Sequence, residues 1–233
     1  MTSEARPSAV AVYCGSSPGK QPAYQNAAKS LAHALVRSQR PLVYGGGSKG
    51  IMGVVSGEVV RLGGKVTGVI PYAMVAAGGE NEKTANGLAN GSHIIVDSMH
   101  LRKVEMAKRV GGFVGLPGGF GTFEELFEVT TWTQLGIHNK PVILTNVLGF
   151  FNPFRELIRN GIREGFILPK NEQFVIFVDG PQDISEHESF DWGSAVVSIL
   201  DSWKAVDWEG FGYDWTLKPD GDASSSGSTL DRT

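Results

Sequence analysis

The sequence predicts an α/β protein built as a single domain on a doubly wound parallel sheet, and three observations predict it. Short apolar, β-rich runs alternate along the chain with stretches of helical periodicity. The apolar runs are continuous, the pattern of strands covered on both faces. Glycine is in excess, 31 of 233 residues, and it gathers in loops that follow the predicted strands. Together these describe a Rossmann-like architecture.

The first strand, Ala9–Tyr13, leads through Gly15-Ser-Ser-Pro-Gly19 into a helix over Pro22–Ser38. The second, Pro41–Tyr44, leads through Gly45-Gly-Gly-Ser-Lys-Gly50 into a helix over Ile51–Leu62. Lys65–Ile70 and His93–Val96 read as the third and fourth strands, with a helix over His100–Val110 after the fourth. The fifth, Gly112–Leu116, runs through Pro117-Gly-Gly-Phe-Gly-Thr122 into a helix over Phe123–Leu135. Val142–Thr145 and Phe174–Val178 are the last strands, followed by helices over Phe154–Arg163 and Ser194–Trp203. In such sheets ligands lie beyond the carboxyl ends of the strands, so the three glycine loops are where chemistry is expected.

Domain organisation follows from composition. Residues 1–8 read as a flexible N-terminus, 9–204 as the α/β domain, 205–218 as an aromatic extension and 219–233 as a disordered tail too poor in apolar groups to fold. Trp203, Trp208, Phe211, Tyr213 and Trp215 read as a latch packed on the body, with an exposed partner-binding segment as the alternative. No repeat of about 20–50 residues is present, which excludes a solenoid or propeller.

Composition also narrows function. No apolar run approaches the roughly 18 residues of a membrane span, and the N-terminal residues lack the pattern of a secretory signal, so a cytoplasmic protein with no membrane partner is expected. A net charge of −3 argues against a nucleic-acid partner. The single cysteine, Cys14, reads as a buried hydrophobe, and the five histidines show no metal spacing, so no metal is expected.

The glycine loops point to phosphate. Gly45-x-Gly47-x-x-Gly50 matches the dinucleotide fingerprint in form, but it follows the second strand and lacks the acidic residue that binds a ribose hydroxyl. Gly15-x3-Gly19-Lys20 is one residue short of a nucleotide-hydrolysing phosphate loop. A nicotinamide cofactor and ATP hydrolysis are both disfavoured. What remains is backbone amides at a helix N-terminus, a natural anion site.

In the Pro117 loop, Gly118, Gly119, Phe120, Gly121 and Thr122 precede Glu124 and Glu125, which are expected in the first turn of the next helix. Thr122-x-x-Glu125 has the form of a capping box, so helix capping and catalysis are both open roles for Glu125. At about 100° per residue, Phe123, Leu126, Phe127 and Thr130 share one side and Glu125 shares the other with Val129, Trp132 and Gly136. A helix apolar on both sides suggests that a second subunit covers one of them, leaving Glu125 in a desolvated cleft. Arg102 and Lys103 fall in the first turn after the fourth strand, where cations oppose the helix dipole and call for an anionic partner; a surface salt bridge is the plainer alternative for Arg102.

Met99-His-x-Arg-Lys103, Pro117-Gly-Gly-x-Gly-Thr-x-x-Glu125, Thr131-Trp-x-Gln-Leu-Gly-Ile-His138 and Val43-Tyr-Gly-Gly-Gly47 together resemble the Lonely Guy family of cytokinin-activating phosphoribohydrolases, over about Ala9 to Leu168. The resemblance implies hydrolysis of the N-glycosidic bond of an N6-substituted adenosine 5′-monophosphate, giving the free cytokinin base and ribose 5-phosphate. It implies Arg102 and Glu125 as the catalytic pair, with Gly118, Gly119, Phe120, Gly121 and Thr122 receiving the phosphate. It further implies nucleotide contacts at Lys103, Glu124, Thr130, Gly46 and Glu80, Met99 beside the base, no cofactor, and a homodimer or dimer of dimers with sites near the interface. The family's older label, lysine decarboxylase, requires a pyridoxal phosphate lysine with supporting residues, a constellation the sequence does not display. The rival from another class is a non-catalytic nucleotide or phosphate-cofactor carrier built on the same loops.

Overall fold

The computed structural model describes residues 9–77, 91–208 and 210–215. Within them the strands are β1 (Val10–Tyr13), β2 (Leu42–Tyr44), β3 (Val66–Pro71), β4 (Gly91–Val96), β5 (Gly112–Gly115), β6 (Val142–Thr145) and β7 (Ile176–Val178). They form one sheet in the order β4-β3-β2-β1-β5-β6-β7, every pair parallel, with Val12 registered against Tyr44 on one side and Val114 on the other. The helices are α1 (Pro22–Arg37), α2 (Gly50–Arg61), α3 (Tyr72–Ala76), α4 (Met99–Arg109), α5 (Phe120–Gln134), α6 (Asn152–Arg163) and α7 (Trp192–Ser202).

Side chains alternate across each strand, so β1 feeds two cores. Val10 and Val12 pack with Leu31, Leu35, Val55 and Trp192 beneath α1, α2 and α7. Ala11 and Tyr13 pack with Val104, Leu126, Trp132 and Phe154 beneath α4, α5 and α6. Each large apolar side chain buried this way contributes about 1.5–3 kcal/mol, and the double burial explains why the strands read as unbroken apolar runs.

The strand order reverses between β1 and β5. The loop after β1 leads to α1 on one face and the loop after β5 leads to α5 on the other, which opens a crevice at the switch point. The two loops touch through backbone: the Gly15 N–H donates to the Pro117 carbonyl at 3.1 Å, and a Cβ on Gly15 would lie 3.2 Å from the Gly118 Cα.

Three differences from the predicted elements have a physical reason. The helix after β5 begins at Phe120, not Phe123. β7 begins at Ile176 because Pro169–Phe174 forms 3-10 turns, started by a proline that cannot donate to a strand ladder. The five-residue α3 lacks enough turns to leave a periodic signature in the sequence.

The aromatic segment folds back on the far end of α5. The indole N–H of Trp208 donates to the Gln134 carbonyl at 2.8 Å, and that of Trp215 to the Leu135 carbonyl at 3.0 Å. Asn139 exchanges hydrogen bonds with both backbone groups of Val206. The last carbonyls of α5 thus gain partners that the helix itself cannot supply. Residues 1–8 and 219–233, expected to be flexible and disordered, and the last three residues of the aromatic extension lie outside the described residues.

Gly50 opens α2 at φ +60, and a Cβ there would sit 2.3 Å from the Ser16 carbonyl carbon. Gly50→Ala is therefore expected to lower stability by about 2 kcal/mol or more, read from chemical denaturation followed by circular dichroism.

Candidate active site

A cleft of about 360 Å³ occupies the crevice. It is walled by Tyr13 to Ser16 after β1, by Gly45 after β2, by Met99 and Arg102 of α4, and by Gly119 to Thr122 with Glu124 and Glu125 of α5.

The Pro117 loop makes its floor. Gly119 caps α5 without any side-chain bond to the helix, so the N–H groups of Phe120, Gly121 and Thr122 have no intrahelical acceptor and face the cleft end of the helix. A Cβ on Gly118 would strike Thr122 Oγ1 at 2.1 Å, so that glycine serves packing. A Cβ on Gly119 or Gly121 would meet nothing within 4 Å. The fold does not need those two glycines; their missing side chains keep the helix end open to a ligand. Thr122 stands three residues past the cap, which removes the capping box, and Glu124 and Glu125 lie beyond the first turn where they were expected.

Arg102 and Lys103 are adjacent in sequence and separate in role. Lys103 is buried, and its Nζ bonds Glu124 and, at 3.0 Å, Glu128, joining α4 to α5. Burial alone would lower its pKa, but these two carboxylates raise it above the ordinary lysine value. Arg102 is 6% exposed, which overturns the surface salt bridge. Its Nη2 donates to the Gly45 carbonyl at 2.9 Å, its Nη1 touches only the Met99 and Met74 sulfurs at 3.8 and 4.0 Å, and its Nε is buried without a partner. Among the described residues no carboxylate lies within ion-pair distance of it.

Glu125 is the complementary group. Burial raises its pKa to about 7; the Arg102 guanidinium pulls it down, Glu124 and Glu128 push it up, and Lys103 opposes them. No hydrogen bond holds either of its oxygens among the described residues. The explanation by a second subunit is corrected: Val129 and Trp132, 0% and 6% exposed, are covered by this chain's own β1 and β5 core. On the opposite side of α5, Phe127 stacks on Phe154 of α6 at 4.2 Å and stays 38% exposed. The apolar residues that share a side with Glu125 are therefore buried within the chain itself.

The structure brings Met99, Arg102, Gly119, Phe120, Gly121, Thr122, Glu124 and Glu125 to one cleft. Thr130 is outside it, its hydroxyl donating to the Leu126 carbonyl. Gly46, at φ +83, lies against Gly68 of β3 instead. Gly118 packs between loops, Lys103 acts on Glu124, and Glu80 is outside the described residues. His138 is buried against Phe113 and kept neutral by burial, its pKa pushed down to about 3. Sequence reasoning missed Tyr13, Met52, Met74 and Gly45 as parts of the site. Of these only Gly45 carried a signal, its place in a loop after a strand. The described residues contain no cluster of three or more histidine, cysteine or acidic side chains able to hold a metal, and no helix long and apolar enough to cross a membrane.

Fold and site together define a doubly wound α/β protein with a nucleotide-sized crevice, an open helix N-terminus and a buried arginine and carboxylate across it. The chain belongs to the family described as "possible lysine decarboxylase", whose model matches residues 52–187. It is 45% identical to a probable cytokinin riboside 5′-monophosphate phosphoribohydrolase of Oryza sativa subsp. japonica, over 76% of this chain and 70% of that one. It is 47% identical to a cytokinin riboside 5′-monophosphate phosphoribohydrolase of Arabidopsis thaliana, over 74% and 72% of the two chains. The molybdenum cofactor carrier protein of Chlamydomonas reinhardtii shares the fold, with a TM-score of 0.56 at 18% identity over 85% of this chain and all of that one.

A Cβ on Gly45 would lie 1.8 Å from Arg102 Nη2. Gly45→Ala is expected to displace the guanidinium while preserving the fold, lowering kcat/KM about a hundredfold with an unchanged circular dichroism spectrum.

Proposed function

We propose that the protein hydrolyses the N-glycosidic bond of N6-substituted adenosine 5′-monophosphates, releasing the free cytokinin base and ribose 5-phosphate. The observation that carries this reading is the unpaired Glu125 carboxylate, tuned to about 7 beside Arg102 at the open end of α5. Relatives 45–47% identical bear the name of this activity, whereas the carrier protein shares only the fold.

In this reading the 5′-phosphate sits over the N-terminus of α5, taking the amides of Phe120, Gly121 and Thr122 and the Thr122 hydroxyl. The thioethers of Met52, Met74 and Met99 offer a soft, polarisable wall to the purine face. Arg102 orients the nucleotide across the cleft from Glu125. The bond from C1′ to the base nitrogen breaks with its electron pair leaving on the base, and positive charge develops on the sugar. The Glu125 carboxylate stabilises that charge and takes a proton from the water whose oxygen bonds to C1′. The leaving base takes up a proton, so atoms and charge balance with no cofactor. Glu124 lies toward the sugar, and Lys103 acts through it.

A lysine decarboxylase is a poorer fit. A Schiff base requires a neutral amine, no lysine lines the cleft, and the carboxylates of Glu124 and Glu128 hold Lys103 protonated. Exposed Phe120, Met99 and Leu101 beside the cleft support the accompanying proposal of a homodimer. A cytoplasmic location belongs to the same reading and agrees with the free thiol of Cys14.

Purified protein is expected to release base from N6-isopentenyl-AMP and not from the corresponding riboside, as followed by chromatography. Tight binding without turnover would instead support a carrier. Lysine with pyridoxal phosphate should give no cadaverine.

Glu125 must be ionised to act, so kcat/KM should climb as pH rises through about 7. Glu125→Gln should lower kcat by about 10³ or more with nucleotide binding retained. Because the folded pKa lies above the unfolded one, the ionised carboxylate costs stability at high pH. At pH 8 the Gln variant should therefore melt above the wild type, by about 1–3 kcal/mol, with the difference vanishing below pH 4.5.

A further inference from the structure

Tyr13 ends β1 with its side chain under α4 and α5 and is 1% exposed. Its ring is fixed, stacked on Phe113 with centroids 6.0 Å apart and planes 11° from parallel. Its hydroxyl is buried and has no hydrogen-bond partner. Burying a hydroxyl without an acceptor costs stability, and phenylalanine would fill the same space without that cost, so the oxygen calls for another explanation.

The groups that act on the hydroxyl electrostatically are, after burial itself, Glu125, Glu128, Arg102 and Glu124 in decreasing strength. All hold its proton in place except Arg102, so at working pH the group keeps a proton to donate. Glu128 is tethered to Lys103 at 3.0 Å, and Glu124 to the same ammonium. Glu125 is bound to no side chain and lines the same cleft as Tyr13. Glu128 keeps its second oxygen buried and unpartnered but does not line the cleft, so Glu125 is the cleft carboxylate with no side-chain tether.

We infer that the Tyr13 hydroxyl is a positioning residue for the reaction, donating to the Glu125 carboxylate and holding it toward the sugar in its ionised form. The inference rests on the reading of Glu125 as the reacting carboxylate. Around Glu125 stand Arg102 and Lys103 from α4, Glu124 and Glu128 from α5, Tyr13 from β1 and Cys14 just after it. Of these, Tyr13 and Cys14 are neutral and hold their protons, and the phenol is the stronger hydrogen-bond donor, its hydroxyl buried without a partner. A hydrogen bond to the charged form favours ionisation, so its loss must shift the titration of Glu125 upward.

The test is Tyr13→Phe, which keeps the ring and removes one oxygen. The carboxyl carbon of Glu125 is titrated by NMR in both proteins saturated with adenosine 5′-monophosphate, and the pH profile is measured with N6-isopentenyl-AMP. The expected result is a Glu125 midpoint raised by roughly one pH unit and the acid limb of kcat/KM raised with it. kcat should fall about tenfold with KM within about twofold of wild type. The melting temperature should not fall, since no hydrogen bond of the fold is removed. An unchanged Glu125 midpoint, or a shift found on Glu128 in its place, would overturn the inference. If the wild type releases no base while the NMR shift appears, the hydrolase reading fails and the bond to Glu125 stands; turnover without the shift has the opposite meaning.

Discussion

The buried ammonium of Lys103 between Glu124 and Glu128 is the contact on which the site depends. It ties α4 to α5, two helices that leave the sheet from strands on opposite sides of β1. Once Lys103 is fixed, helical geometry sends its neighbour Arg102 in a different direction, toward the Gly45 carbonyl and the cleft. The same holds on α5, where Glu124 is tethered and Glu125 is free. Two adjacent pairs of charged residues are thus each divided, one member to hold the helices and one to face the cleft.

The divided pairs explain the electrostatics. The buried Lys103 ammonium has two carboxylates to bond, whereas the half-buried Glu125 carboxylate has no side-chain partner. Glu125 answers by keeping its proton up to about neutral pH, and Arg102 leaves its Nε unpartnered. Both conditions disfavour the folded chain by itself. In the proposed hydrolysis these two groups answer a charge that develops elsewhere, at a sugar carbon.

Backbone contact sets the scale of the cleft. The loops after β1 and β5 meet with no side chain between them at Gly15 and Gly118, which brings the N-terminus of α5 close to β1. At the far end of the same helix, the indoles of Trp208 and Trp215 hold its last carbonyls. α5 is therefore fixed at both ends, the open end facing the cleft and the closed end receiving the aromatic segment.

The alternation of apolar runs and helical stretches, with glycine after the strands, determines the parallel sheet and the position of the site at its carboxyl edge, because burial on both faces demands continuous apolar strands. The place of Glu125 and Arg102 at the cleft was legible from their positions after the fifth and fourth strands. Three matters were settled only in the tertiary structure. Thr122 is no helix cap, because α5 starts at Phe120. Val129 and Trp132 are covered by the chain's own sheet, since a helical wheel tells which residues share a face and not what lies against it. Tyr13 belongs to the site although in sequence it is one more apolar strand residue. The charge state of Glu125 is set by burial and by Arg102 and Lys103, groups distant along the chain and close in space. Local spacing names the residues of this site; only the packing of β1, α4 and α5 decides which of them are paired and which are free to react.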